Sequence, residues 1–147
     1  MAAAVSTKAT QVVVPAAGTY SAGGELAFQI KFNNPVTFTG TGQPTLNLVI
    51  GKTNVPAAYV DGAGTATLSF RHVVAPGQND ADGIAVARTI SLAAGSAIVD
   101  AATGQAVSPA IAPPSTVKVL VDTAAPTVAS VTGPAAKTYA TGQTLSF

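Results

Sequence analysis

Apolar residues in this chain recur with a period of two, and Gly or Pro interrupts the chain before any helical period can take hold. Leu26, Phe28, Ile30 and Phe32 alternate with Ala27, Gln29 and Lys31. Leu46, Leu48 and Ile50 flank Asn47 and Val49, and Ala66, Leu68, Phe70, His72 and Val74 flank Thr67, Ser69, Arg71 and Val73. Ile84, Val86 and Ile90 mark another run, and Val117, Val119 and Val121 a last one. Such alternation sets one face of a strand on a core and the other in water. The breaks carry turn chemistry: Asn33-Asn34-Pro35, Gly40-Thr41-Gly42-Gln43-Pro44, Asp61-Gly62-Ala63-Gly64 and Ala75-Pro76-Gly77-Gln78-Asn79-Asp80. About seven to nine short strands with these turns predict an all-β fold, an antiparallel sandwich or barrel. The predicted core is Leu26, Phe28, Ile30, Phe32, Leu46, Leu48, Leu68, Phe70 and Ile84. Pro56, inside the run 52–60, predicts an edge strand or a bulge there.

Charge excludes several function classes. Only 9% of the 147 residues are charged, and seven Lys+Arg against six Asp+Glu leave a net +1. Nucleic-acid or membrane-surface binding by electrostatics needs clustered basic charge, so neither partner is expected. With no cysteine there is no disulfide, thiolate metal site or Cys nucleophile. No stretch approaches the ~20 apolar residues of a membrane span. The start, Met1 to Lys8, has no basic region followed by an apolar one, so export information is expected to lie elsewhere.

A repeat divides the chain. Residues 15–28, PAAGTYSAGGELAF, return as residues 134–147, PAAKTYATGQTLSF, with eight of fourteen positions identical at a constant offset of 119. Such self-similarity indicates tandem units. The expected organisation is one whole unit over residues 5–122, a short linker over 123–127, and over 128–147 the first strands of a second unit, cut off at Phe147. The linker has no Gly/Ser run and contains Pro126, so neighbouring units should be semi-rigidly coupled.

Gly18-Thr19-Tyr20, Leu26 to Phe32, Pro44-Thr45-Leu46-Asn47-Leu48, Gly64 to Arg71, Asn79-Asp80-Ala81-Asp82-Gly83-Ile84 and Asp100-Ala101-Ala102-Thr103-Gly104 follow one another in an order that resembles bacterial Ig-like tandem repeats. The resemblance runs from about Val12 to Phe147. His72 stands where that family more often has Tyr, and Thr103-Gly104-Gln105 where Gly-Asn is commoner. The resemblance implies an Ig-like β-sandwich serving as a spacer in a large adhesin or biofilm protein, outside the cell on a bacterial surface. It also implies adjacent repeats of the same chain as partners, and calcium as an ion that often rigidifies such arrays.

Candidate chemistry is sparse. Asp80 and Asp82, with Asn79 and Gly83, form a loose calcium-loop pattern that could supply half of the about six to eight oxygens the ion requires. An EF-hand is absent, because a twelve-residue loop begun at Asn79, Asp80 or Asp82 would end at Ile90, Ser91 or Ala93 rather than at Glu. The competing reading is an Asx-type turn with the carboxylates capping backbone N–H groups. Asp122 is a third candidate ligand, meeting Asp100 or Asp61 at one pole, or else merely capping the turn before Pro126. His72, the single histidine, shares the phase of Leu68 and Phe70 and is expected as a core or rim imidazole bonded to backbone. With no cysteine and one histidine, neither a Ser-His-Asp triad nor a zinc site can be drawn. Glu25 is the only glutamate and its repeat counterpart is Thr144, so a carboxylate pair for glycoside hydrolysis has no support. No enzyme activity and no catalytic residue are expected.

Tyr20 and its counterpart Tyr139 are expected to seal the end of the sandwich through their hydroxyls. Gly40-Thr41-Gly42 and Gly62-Ala63-Gly64 open no helix and imply no phosphate. Two alternatives stand beside the spacer. An adhesive module would bind glycan or protein through loops 40–44, 61–64 and 76–83, none of which contains an aromatic residue. A self-assembling subunit, as in a filament or viral surface protein, would exchange strands through residues 128–147, whose unpaired edges recruit other strands.

Overall fold

The strongest alternation in the chain, from Glu25 onward, forms its longest strand. A computed structural model describes residues 6–147; Val5, the first residue of the expected unit, lies outside them. Among the described residues there are nine strands and no helix: β1 (Ala9–Val13), β2 (Gly18–Tyr20), β3 (Glu25–Thr39), β4 (Thr45–Ile50), β5 (Thr53–Asp61), β6 (Thr65–Val73), β7 (Ala85–Val86), β8 (Ala97–Asp100) and β9 (Val119–Val121). Seven of them make one curled antiparallel sheet in the order β1-β3-β6-β5-β4-β7, with β8 joined to the second half of β3. β2 and β9 form a separate parallel pair, Gly18 opposite Val119 and Tyr20 opposite Val121.

All nine predicted core residues are buried, from Leu26, Ile30, Leu46, Leu48 and Leu68 at 0% exposure to Phe32 at 5%. Val36, Ile90, Ile98, Val119 and Val121 join them in the same cluster. Val117 shares the phase of Val119 but precedes β9 and stays exposed.

Two local expectations give way to long-range pairing. Asn33-Asn34-Pro35 does not turn the chain; β3 runs through it with a register shift between Lys31 and Val36. The Asn33 amide donates to the Ser6 carbonyl and accepts from the Lys8 N–H, and Asn34 donates to the Thr7 hydroxyl. The asparagines thus bind the segment that leads into β1 instead of their own backbone. Pro35, which has no N–H to lose, sits where the β6 ladder is interrupted. Pro56 likewise does not place β5 at an edge, since β5 lies between β4 and β6, and the bulge, the other expectation, does occur in β5, as a register shift between Tyr59 and Asp61. Its ladder to β6 begins at Ala58, and the Pro56 carbonyl instead accepts from His72 Nδ1 at 3.0 Å.

The strand directions place the start of β1 and the end of β9 at opposite poles. β1 runs antiparallel to β3, from Ala9 opposite Phe32 to Val13 opposite Gln29, and so advances toward the Glu25 end. β2 ends at Tyr20, and Ser21–Gly24 turn directly into β3. β9, parallel to β2, finishes at that same end, where Asp122 N–H donates to the Tyr20 carbonyl. The chain therefore comes in at an amino pole, beside Asn33, and leaves at a carboxyl pole, beside Tyr20.

Truncating Phe28 to Ala, in urea melts, should cost roughly 3–5 kcal/mol through lost burial and a residual cavity. Glu25→Gln should cost less than about 1 kcal/mol, because its 3.1 Å pair with Arg71 joins two side chains that are each more than half exposed.

Candidate functional site

The acidic loop folds as a clasp on the carboxyl pole. Asp80 is buried at 5% exposure, and its backbone exchanges two hydrogen bonds with Val121, at 2.7 and 2.9 Å. Its carboxylate accepts the Gly51 N–H at 2.7 Å and the Asp82 N–H at 3.3 Å. Asp80 thereby ties the β4–β5 turn and the 79–83 loop to the end of β9. Asn79 accepts the Thr123 N–H at 2.8 Å, and Gly77 N–H donates to the Thr123 hydroxyl at 2.9 Å. Asp122 accepts from Ala124 N–H at 2.9 Å, capping the turn that follows β9. Asp82 is exposed. Gly83 has φ +100°, and a Cβ there would lie 2.4 Å from Val117 Cα and 2.6 Å from the Thr116 carbonyl oxygen. The glycine of this Asp-x-Asp-Gly sequence thus serves close backbone approach.

Both Asp80 oxygens are engaged by backbone donors, and among the described residues no three acidic or histidine side chains come together as metal ligands would. Asp80, Asp82 and Asp122 share the carboxyl pole without forming one ligand set. Asp100 is at the other pole, where it pairs with Val36, so it and Asp122 sit at opposite ends of the fold.

Asp100 is a hub that its spacing alone did not reveal. Its carboxylate accepts from the Thr7 hydroxyl and from the N–H groups of Ala102 and Thr103, at 2.8 and 2.9 Å. These bonds, the Thr7 hydroxyl first and the Thr103 N–H next, hold its pKa below the ordinary 3.8 against the opposing effect of burial. A recognisable signal was the Asx pattern of Asp100-Ala101-Ala102-Thr103-Gly104; its partner Thr7, 93 residues away, had none.

His72 is half-buried at the rim. Nδ1 lies 3.0 Å from the Pro56 carbonyl oxygen and Nε2 3.0 Å from the Gln78 side-chain oxygen, which also accepts from Ala75 N–H, so the ring sits between two acceptors. Tyr20 donates its hydroxyl to the Ala16 carbonyl at 3.0 Å. Tyr59 packs edge-on against Phe38 and Phe70 and accepts from Ala63 N–H, which fixes the 61–64 loop.

The second copy of the repeat keeps the local shape of the first. Tyr139 donates to the Ala135 carbonyl at 2.9 Å, as Tyr20 does to Ala16, and Gly142 has φ +88° where Gly23 has +84°. Residues 128–147 nevertheless form no strand, and Val128, Val131, Leu145 and Phe147 are exposed at 80, 72, 47 and 84%. At the offset of 119 these four correspond to Ala9, which packs on the core, and to Val12, Leu26 and Phe28, which belong to it. Each outward apolar side chain of the tail thus matches an inward one of the first unit.

What the geometry defines is an all-β module with its ends at opposite poles, clasped by carboxylates and followed by a strandless tail whose residues 134–147 repeat the sequence pattern of residues 15–28. The chain matches no protein-family model, no curated protein and no solved structure.

Two measurements follow from the carboxylates. A carboxyl with a lowered native pKa stabilises the fold above its unfolded value and loses that contribution as pH falls below 3.8 through the native value. Asp100→Asn should therefore lower Tm at pH 7, and its difference from the parent chain should shrink progressively as pH is taken below 3.8, as followed by circular dichroism. Melts in millimolar calcium and in excess chelator should superimpose if Asp80 and Asp122 act as caps, whereas an ion at 100-fold over its Kd would add about 2.7 kcal/mol.

Proposed function

We propose that this chain is a non-enzymatic structural repeat from the stalk of an exported bacterial surface adhesin, extending and stiffening a tandem array. The observation that carries this reading is the correspondence between the tail's exposed Val131, Leu145 and Phe147 and the buried Val12, Leu26 and Phe28. Exposed apolar side chains in register with a core belong to a second unit that would bury them. Opposite poles for the chain ends support it further, since units so connected extend a string instead of folding back. A nine-residue strand such as β6 makes each unit about 30 Å tall at ~3.3 Å per residue. The adhesin assignment rests on the resemblance of residues 12–147 to bacterial Ig-like repeats. Calcium at Asp80, Asp82 or Asp122 has no part in this reading.

The test is to continue the chain past Phe147 with residues 29–121 of its own sequence, completing a second unit from the existing tail. The unfolding enthalpy should about double, since it scales with the number of folded residues. The amides of residues 128–147 should become protected from hydrogen exchange. An unchanged enthalpy with an unprotected tail would refute the repeat. Surface display has its own check: an antibody against residues 6–121 should label intact source cells, and labelling only after lysis would refute export.

A second reading, self-assembly by strand exchange, is favoured by the same exposed tail. It requires that light scattering on the 147-residue chain show dimers or polymers growing with concentration, lost in Leu145→Asp/Phe147→Asp.

A further inference from the structure

We infer that successive units are joined without a free linker, the carboxyl pole of one unit seating directly on the amino pole of the next. The inference rests on the repeat reading above. Its first half is observed here. After β9, Asp122 N–H is bonded to the Tyr20 carbonyl, Thr123 is bonded on both N–H and hydroxyl to the 77–79 loop, and Ala124 N–H is bonded to Asp122. Residues 122–124 therefore belong to the unit they leave.

The second half follows from the offset. Carried back along the chain from Pro134, the offset sets Val128–Thr132 on β1, with Val131 on Val12, and puts Ala125, Pro126 and Thr127 in the places of Ser6, Thr7 and Lys8. In this unit Ser6 is held by its carbonyl, which accepts from Asn33 Nδ2 at 2.9 Å, and Lys8 by its N–H, which donates to Asn33 Oδ1 at 2.8 Å. Both are backbone groups, so exchanging Ser for Ala and Lys for Thr removes neither bond. Thr7 contributes through its hydroxyl, which Pro126 lacks. Proline replaces that side-chain bond with a fixed φ near −65° and holds Ala125 extended. The expected linker, 123–127, thus divides into two residues bonded behind, Thr123 and Ala124, and three that take places ahead, Ala125 and Thr127 on backbone bonds and Pro126 by its fixed φ, with the Ala124–Ala125 peptide as the one unbonded step.

A single such step spans at most ~3.6 Å, so the two poles must touch. The 51–52 turn and the 76–82 loop of one unit then face the 33–35 and 100–105 segments of the next. The hydrogen bonds that hold the two sides of the joint run between protein groups, so its stiffness is expected to be the same with and without a metal ion.

The experiment uses the full chain continued past Phe147 with residues 29–121, followed by 15N relaxation and small-angle scattering. A stiff joint requires both units to tumble as one body, each with a correlation time at least about double that of the 147-residue chain, and Thr123 and Ala124 to be as ordered as β9. These values should be the same in chelator. Inserting Gly-Ser-Gly-Ser between Ala124 and Ala125 should release the two units to tumble separately. Two folded units that already tumble independently without the insertion would overturn the inference while leaving the repeat intact. A second unit that fails to fold, seen as no second set of dispersed amide resonances, would overturn the repeat reading and the joint with it.

Discussion

β3 bonds to β1 along its first half, to β8 along its second, and to β6 on both sides of an interruption. One strand of fifteen residues can serve three partners only if its ladder is broken once, and the break is the shift between Lys31 and Val36. Before it, Leu26, Phe28 and Ile30 face the core, within it Phe32 does, and after it Val36, so the inward face continues across the irregularity. Bulges are the usual device for re-aiming a strand without ending it. Had Asn33-Asn34-Pro35 turned the chain instead, β8 would have lost its partner. Asp100, at the end of β8, would then have lost its position over Thr7.

The parts of this architecture that were readable in advance are those governed by one strand's own periodicity. The inward residues of β3, β4 and β6 could be named because burial of alternate side chains does not depend on which strands are neighbours. Tyr20 and Asp80 were also readable, since an end-sealing tyrosine and an Asx turn each involve residues close in sequence. What escaped was set by pairing across the chain. The parallel contact of β2 with β9 joins residues about a hundred positions apart, and nothing in Gly18–Tyr20 announces it. The asparagines at 33 and 34 carry the same residue types as a turn, and only the presence of Ser6 to Lys8 beside them makes them a strand's anchor. Pro56 escaped for a related reason, because His72 supplies from a neighbouring strand the contact that the ladder omits there.

The carboxylates divide by pole. At the amino pole Asp100 gathers a hydroxyl and two amides around one charge; at the carboxyl pole Asp80 gathers the β4–β5 turn and its own loop. In both cases the anion satisfies backbone donors that the sheet leaves over, and buried donors without partners are costly. A chain with so few charges has placed two of its five aspartates in positions where each closes several loop N–H groups at once.

The directions of the first and last strands decide how the module answers tension. A pull applied through the two ends draws β1 out along its own axis past β3, and β9 along its axis past β2. Their ladders are then loaded in shear, with all the rungs of a strand sharing the force at once. Peeling would break them one after another. Resistance of this kind is set by the rate of rupture and not by equilibrium stability. A domain with a modest free energy of folding can therefore hold its length under a pull that would unzip a hairpin of the same strands.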